Sequence, residues 1–259
     1  MLETIETLRQ AGIKIWMLTG DKIDTAKCIA ISTGLKTNKE EIFEIDSSKI
    51  DVVNEASIRK AIDNYSSKTS THVLMIDGTC IGVIMADDAL RDEFFNITRN
   101  AGSVCVCRCS PTQKAVVAES IKTIVGKTIA CVGDGGNDVA MIQKADVGLG
   151  IVGKEGMQAS LAADFSIEKF KDIKHLITWH GRLSYKRSAS LSQFVVHRGM
   201  IISFMQAIFT VVFYFVTIPI FNGYLILGYS TYYTSAPVFA LVLDEDVTRE
   251  KVDKFPALY

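Results

Sequence analysis

The chain has 259 residues, of which 48% are hydrophobic, 22% charged and only 4 proline, so it is too apolar for a disordered segment and long enough for a sizeable core. Its 28 basic and 29 acidic side chains leave a net charge of −1, which excludes a nucleic-acid partner held by overall charge. Cys28, Cys80, Cys105, Cys107, Cys109 and Cys131 lie inside apolar runs with no signal peptide ahead of them, and reduced, cytosol-facing thiols are expected.

Residues 1 to about 170 alternate short apolar runs with helical patterns, which predicts an α/β sheet with crossover helices. A strand at Ile13–Leu18 runs into Thr19-Gly20-Asp21-Lys22, ahead of a helix over Ala26–Ser32. A hydroxyl and free backbone N–H groups at a helix start suit a phosphate, but Thr19 or Asp21 could equally be an N-cap. Residues 36–71 are polar around a helix near Glu55–Tyr65 and read as an insertion on the sheet. His72–Ile76 and Ile81–Met85 read as strands joined at Asp77-Gly78, a hairpin turn signal. Further strands are predicted at Ser103–Cys107, Thr128–Val132 and Val147–Ile151. In open α/β sheets ligands bind at the carboxyl ends of strands, so the polar clusters there are the places for chemistry.

Alternation puts Cys105, Cys107 and Cys109 on one strand face, but no histidine or CxxC partner stands near, which argues against zinc. In Arg108-Cys109-Ser110-Pro111-Thr112-Gln113-Lys114, Ser110 as N-cap and Pro111 at the first helical position start a helix. Lys114 then sits in the first turn against the helix dipole, which points to an anion nearby or to a lysine on a solvated face. After Thr128–Val132 comes Gly133-Asp134-Gly135-Gly136-Asn137-Asp138, with two carboxylates four apart on a glycine-rich loop. Such a pair can reach one hard cation, and Mg²⁺ suits so sparse a set because it keeps waters and phosphate oxygens as its other ligands. A plain Asx-rich turn reads the same way.

From Gly199 to Leu243 there are 45 consecutive residues without Lys, Arg, Asp, Glu or His. As one helix they would run roughly 67 Å, about twice the ~30 Å hydrocarbon core of a bilayer, so two spans are expected, at 199–217 and 225–243. The break falls between Thr217-Ile218-Pro219 and Asn222-Gly223. Lys169, Lys171, Lys174, Arg182, Lys186, Arg187 and Arg198 crowd the approach and place it in the cytosol. A hairpin returns the tail, 244–259, to that side. Residues 171–198 read as a stalk helix continuous with the first span. The competing reading is a buried helical hairpin in a soluble core.

Taken in order, the clusters resemble the haloacid-dehalogenase-like phosphoryl-transfer domain, and specifically the P-type ATPases. Ile13-Lys14-Ile15-Trp16-Met17-Leu18-Thr19-Gly20-Asp21-Lys22, Ser110-Pro111-Thr112-Gln113-Lys114-Ala115 and Gly133-Asp134-Gly135-Gly136-Asn137-Asp138-Val139-Ala140-Met141-Ile142 look like the type IV branch, the phospholipid flippases. So do the run Gly153-Lys154-Glu155-Gly156-Met157-Gln158-Ala159-Ser160-Leu161-Ala162-Ala163-Asp164-Phe165-Ser166 and the later Trp179-His180-Gly181-Arg182. Gln193-Phe194-Val195-Val196-His197-Arg198-Gly199 and the run Tyr233 to Asp244 look like the Golgi and endosomal subclass.

The resemblance implies the C-terminal half of a Rossmann-type phosphorylation domain over 1–170, followed by a helical transmembrane hairpin, the fifth and sixth spans of the family. It implies ATP and Mg²⁺ as cofactors, with Thr19, Gly20, Asp21 and Arg108 toward nucleotide or transferred phosphate and Lys114 on the phosphoryl oxygens. Asp134 and Asp138 would hold Mg²⁺, with Asn137 and Asp138 also facing the phosphate. A phospholipid is the implied substrate and the bilayer the implied partner, with no accessory glycoprotein subunit required. Pro237 would unwind the sixth span and free hydroxyls such as Ser235 for a headgroup. The implied setting is a multi-pass Golgi or endosomal membrane protein with its catalytic domain in the cytosol.

Two departures stand out. The family's nucleophile lies in an Asp-Lys-Thr-Gly-Thr string that does not occur here, and many flippases carry a lysine in the fifth span where this chain has His197-Arg198-Gly199 at the entry. The expectation is a fragment that forms no phosphoenzyme alone. Its rivals are a membrane-anchored phosphatase of the same fold and a non-catalytic half-domain that binds a partner.

Overall fold

The structure is a computed structural model and describes residues 1–50, 54–69, 72–153 and 157–259. It divides into two compact units, Met1–Lys174 and His175–Tyr259. Ser70 and the Lys154-Glu155-Gly156 portion of the family-like run lie outside the described residues.

The first unit holds two parallel sheets. Its elements run α1 (Leu2–Gln10), β1 (Ile15–Leu18), α2 (Ile23–Thr33), β2 (Glu41–Ile45), α3 (Glu55–Ser66), β3 (His72–Asp77), α4 (Gly78–Ala86), α5 (Asp88–Thr98), β4 (Ser103–Cys107) and α6 (Pro111–Ser120). They continue with β5 (Ala130–Gly133), α7 (Val139–Lys144), β6 (Val147–Ile151), α8 (Gln158–Ala162), β7 (Phe165–Ile167) and α9 (Asp172–His175). One sheet has the order β1-β4-β3-β2 and the other β5-β6-β7. Every pairing is parallel, so all strands of a sheet end at the same edge.

Burial explains the strand sequences. β4 is buried at all five positions and β3 at five of six, and such central strands need no polar alternation. At the sheet edge all four β1 residues are half-buried, and Trp16 stacks on Phe95 with ring centroids 6.0 Å apart. Residues 36–71 supply β2 and α3, whose Ile45, Ile58, Ile62 and Tyr65 join Leu74, Ile76, Phe94 and Val104 in the main core.

The expected hairpin at Asp77-Gly78 and strand at Ile81–Met85 are corrected by the structure, where those residues begin and fill α4. β3 and β4 are parallel, and parallel neighbours need a crossover rather than a tight turn. Gly78, Cys80, Ile81 and Ile84 are its buried positions, a helical spacing that a short apolar run does not distinguish from a strand. β7 was not anticipated, because three residues are too few to show alternation. The thiol geometry is also corrected. Cys105 and Cys107 pack on the side of α2, whereas Cys109 joins Val104 and Val106 in the main core, because Arg108 between them turns the chain at φ 49°.

The second unit contains a π-helical turn, Leu176–Gly181, that leads into α10 (Arg182–Val212). After a loop come α11 (Gly223–Gly228), a π-helical turn over Tyr229–Tyr233, α12 (Ser235–Leu243) and α13 (Arg249–Lys254). The expected break is present and starts earlier, at Val212, where Tyr214 and Phe215 take positive φ. Gln206 holds the loop by donating to Ile218 O at 3.1 Å and accepting from Ile220 N at 2.9 Å. At the other end Asp246 accepts from Arg182 at 2.8 Å and pairs with Lys186 at 2.6 Å, and Trp179 donates to Val247 O. The tail therefore returns to the start of α10, and its carboxylate at Asp246 is held below the usual range by Lys186 and Arg182.

All six cysteines are free. Burial pushes the Cys105 thiol up to about 12 and those of Cys80, Cys107, Cys109 and Cys131 to about 11, so at neutral pH they are protonated and unreactive. At pH 8 iodoacetamide should label exposed Cys28 first and leave these five until urea opens the unit. Peptide mass spectrometry reads the order, and Cys105 labelled as fast as Cys28 would contradict the packing.

Candidate functional site

The polar clusters collect where the strands end. After β1, Thr19 N donates to Val106 O, Arg108 N donates to Asp21 O and Cys109 N to Thr19 O, each at 2.9 Å. These bonds carry the β1–β4 ladder past the strand ends and fix Thr19-Gly20-Asp21 beside Arg108. The Thr19 hydroxyl accepts from Asp21 N at 3.1 Å and donates to Asp21 Oδ2 at 3.0 Å. The N-cap of α2 is Lys22, with no side-chain cap bond, so neither Thr19 nor Asp21 serves as one.

At α6 the anticipated start is present. Ser110 and Gln113 form a reciprocal capping box, with Gln113 N on Ser110 Oγ at 3.3 Å and Ser110 N on Gln113 Oε1 at 2.9 Å, and Pro111 occupies the first turn. Lys114 follows, and it is not on a solvated face. Its Nζ lies 2.9 Å from Asp138 Oδ1, with each side chain 13% exposed. The third and fourth clusters therefore meet in one ion pair that also joins the two sheets.

The loop Gly133-Asp134-Gly135-Gly136-Asn137-Asp138 ends in a 3-10 turn over Gly136–Asp138. Glycine is required at its start, since a Cβ on Gly133 would overlap Asp138 Cβ, and a side chain on Gly136 would overlap Gln158 Oε1. Asp134 and Asn137 are exposed, and among the described residues neither makes a hydrogen bond or ion pair. No group of three or more His, Cys, Asp or Glu side chains able to hold a metal occurs among the described residues. What the loop offers is one open carboxylate, Asp134, and one, Asp138, with an oxygen left after Lys114. That set fits a magnesium ion completed by water and phosphate oxygens and does not fit a full protein cage.

The structure thus brings Thr19, Asp21 and Arg108 together, and Lys114 and Asp138 together, at strand ends. Ser235 and Pro237 belong to the second unit, where Pro237 lies in the first turn of α12 just after the π-helical turn and Ser235 Oγ donates to Tyr232 O at 2.6 Å. Arg198 Nη1 donates to Ser230 O at 2.9 Å and to Thr234 Oγ1 at 2.8 Å. Two residues packed beside these clusters were not picked out from the sequence. Gln113 is an ordinary-looking helix residue whose signal is its place three after a Ser-Pro start, and Asp77 was masked by its resemblance to a hairpin turn.

Comparison with known proteins bears on these clusters. The sequence model of the phospholipid-translocating P-type ATPase C-terminal region matches residues 160–259, and that of haloacid dehalogenase-like hydrolases matches residues 1–89. Over 256 residues and 99% of its length, the chain is 47% identical to the phospholipid-transporting ATPase NEO1 of Saccharomyces cerevisiae. It is likewise 48% identical to the probable phospholipid-transporting ATPase IIB of Homo sapiens, and 38% identical over 260 residues to the phospholipid-transporting ATPase 2 of Arabidopsis thaliana. Nearly the whole chain is thus similar to one stretch of the phospholipid-transporting P-type ATPases. It spans less than a quarter of the length of these relatives, 22% to 23%.

The close approach at Gly133 makes a test of this local geometry. Gly133→Ala should destabilise the first unit by roughly 1–3 kcal/mol through overpacking against Asp138. Urea unfolding followed by Trp16 fluorescence measures it, and an unchanged midpoint would mean that the loop has slack the structure does not show.

Proposed function

We propose that the chain is a section of a phospholipid-transporting ATPase that couples ATP hydrolysis, through an aspartyl phosphate, to movement of a lipid toward the cytosolic leaflet. The observation that carries this reading is the Lys114–Asp138 pair, which joins the third and fourth clusters at the carboxyl ends of parallel strands. In the working pump Thr19, Gly20, Asp21 and Arg108 bind nucleotide and transferred phosphate. Lys114 stabilises the phosphoryl oxygens, and Asn137 steadies the phosphate beside it. Asp134 and Asp138 would hold Mg²⁺, which would supply charge to neutralise the phosphate. Catalysis in such a site is positioning and charge stabilisation, which is what fixed side chains at a sheet edge provide.

The fragment reading is supported by the sheets. Among the described residues β1 and β5 each stand at a sheet edge with one side unpaired, and the Asp-Lys-Thr-Gly-Thr string does not occur in the sequence. One further parallel strand from elsewhere in a complete pump would pair with both and bring its last residue to the edge that holds Thr19, Lys114 and Asp138.

We read the second unit as two membrane spans. Asp172–Val212 and Gly223–Leu243 are long and apolar enough to cross, with mean hydropathies of 1.6 and 1.2. None of either apolar window is buried, which disfavours the soluble-core hairpin. Phe204, Ile208 and Phe239 are each more than 60% exposed, as lipid-facing side chains would be. Residues 171–198 then act as the stalk. Ser235 and Pro237, beside the π-helical turn and the Arg198 guanidinium, form the candidate lipid pathway. The resemblance of residues 193–199 and 233–244 to the Golgi and endosomal subclass favours a Golgi or endosomal multi-pass protein with a cytosolic catalytic unit and no obligatory accessory glycoprotein.

In the complete pump, Asp134→Asn or Asp138→Asn should abolish ATP turnover, and near-normal ATPase in either would remove its role at Mg²⁺. In the same assay Pro237→Ala should lower lipid-stimulated ATPase, and an unchanged response would reduce Pro237 to a packing kink. An antibody against 37–70 applied to native membranes should detect a polypeptide about four times heavier than 28.5 kDa. A band at 28.5 kDa would instead favour a half-domain that binds a partner.

A further inference from the structure

Asp77 ends β3 at the carboxyl edge of the four-stranded sheet, in register with Cys107 of the neighbouring β4. Its side chain is fully buried. Oδ2 accepts two hydrogen bonds, from Ser47 Oγ and Thr79 Oγ1, both at 2.6 Å. Oδ1 has no hydrogen-bond partner among the described residues, and what faces it is the Arg108 guanidinium, with Nη1 at 3.7 Å. A buried carboxylate oxygen without a hydrogen bond is costly unless a charge compensates it. Two hydroxyls therefore lock one oxygen and leave the other aimed at a cation.

Arg108 is placed with equal specificity. It adopts φ 49°, a left-handed conformation that non-glycine residues rarely take, and its side chain is 46% exposed. At 3.7 Å it interacts with Asp77 through charge rather than a hydrogen bond, and its guanidinium makes no hydrogen bond among the described residues. Its N–H groups remain available to a ligand. The adjoining Gly78 has no room for a side chain, because a Cβ would overlap the Arg108 carbonyl. The Gly78 carbonyl accepts from Gln113 Nε2 at 2.8 Å, and Gln113 closes the capping box immediately before Lys114. One dipeptide step thus touches the supports of both cations of the site.

We propose that Asp77 is a positioning residue for Arg108, its locked, buried carboxylate holding the guanidinium at the sheet edge where an anionic nucleotide binds. The Gly78 carbonyl sets the neighbouring Lys114 turn through Gln113. This rests on the nucleotide reading of Arg108, which Asp77 itself does not touch.

The test is a double-mutant cycle in the complete pump. Asp77→Asn keeps the volume and removes the charge, and should raise the ATP KM about five- to twenty-fold with kcat within about two-fold. The effect should vanish in an Arg108→Ala background, so that single and double variants share one KM. Additive effects, or a normal KM in Asp77→Asn beside a raised one in Arg108→Ala, overturn the positioning role alone. An unchanged KM in Arg108→Ala removes the nucleotide assignment of Arg108 and the proposal with it. Should Asp77→Asn fail to fold, Ser47→Ala retains the charge but loosens its lock. It should then give a smaller rise that also disappears without Arg108, and a rise that persists there overturns the proposal.

Discussion

Parallel pairing is the constraint on which the rest of the molecule depends. Parallel neighbours cannot be joined by a tight turn, so each strand is followed by a helical crossover and every carboxyl end arrives at one edge. That edge gathers Asp77, Arg108 and Thr19 from three strands that are widely separated in sequence. The same rule converts an apolar run such as Gly78–Ala86 into a helix, since a return strand there would have to run antiparallel.

Close packing then sets distances that charges exploit. Glycine at 133 lets the backbone of β5 pass against Asp138, and the capping box at Ser110 and Gln113 aims the first turn of α6 at the same carboxylate. Neither device binds anything, yet together they produce the Lys114–Asp138 pair at 2.9 Å. At 13% exposure each, the two ions are poorly solvated, so removing one partner costs more than the intact pair contributes. The pair therefore keeps its geometry, and under the proposed function a phosphate and a metal would replace each ion's present partner.

Much of this was legible from residue order, for identifiable reasons. Ser103–Cys107 and Val147–Ile151 were readable as strands because buried parallel strands are continuously apolar and bounded by turn residues. Ser110-Pro111 was readable as a helix start because both residues have a specific local job there. Asp77-Gly78 misled because a turn signal is local while the choice between hairpin and crossover is set by which strand pairs with which. Cys109 misled because alternation assumes extended backbone, and the positive φ of Arg108 breaks it. The Lys114–Asp138 contact joins residues 24 apart, and no local pattern encodes it.

The second unit shows the same interplay of backbone and side chain. A π-helical turn at Tyr229–Tyr233 loosens the regular ladder, and backbone carbonyls so freed need donors wherever water is scarce. Arg198 meets one of them at Ser230, and the Thr234 hydroxyl shares the same guanidinium nitrogen. A single α-helix through 223–243 would satisfy its own carbonyls and have no use for the Arg198 guanidinium. Once the turn is present, removing the arginine would leave a carbonyl and a hydroxyl without that donor. Interrupted helix and half-buried charge therefore support each other, and both stand next to Pro237, which cannot donate a backbone hydrogen bond.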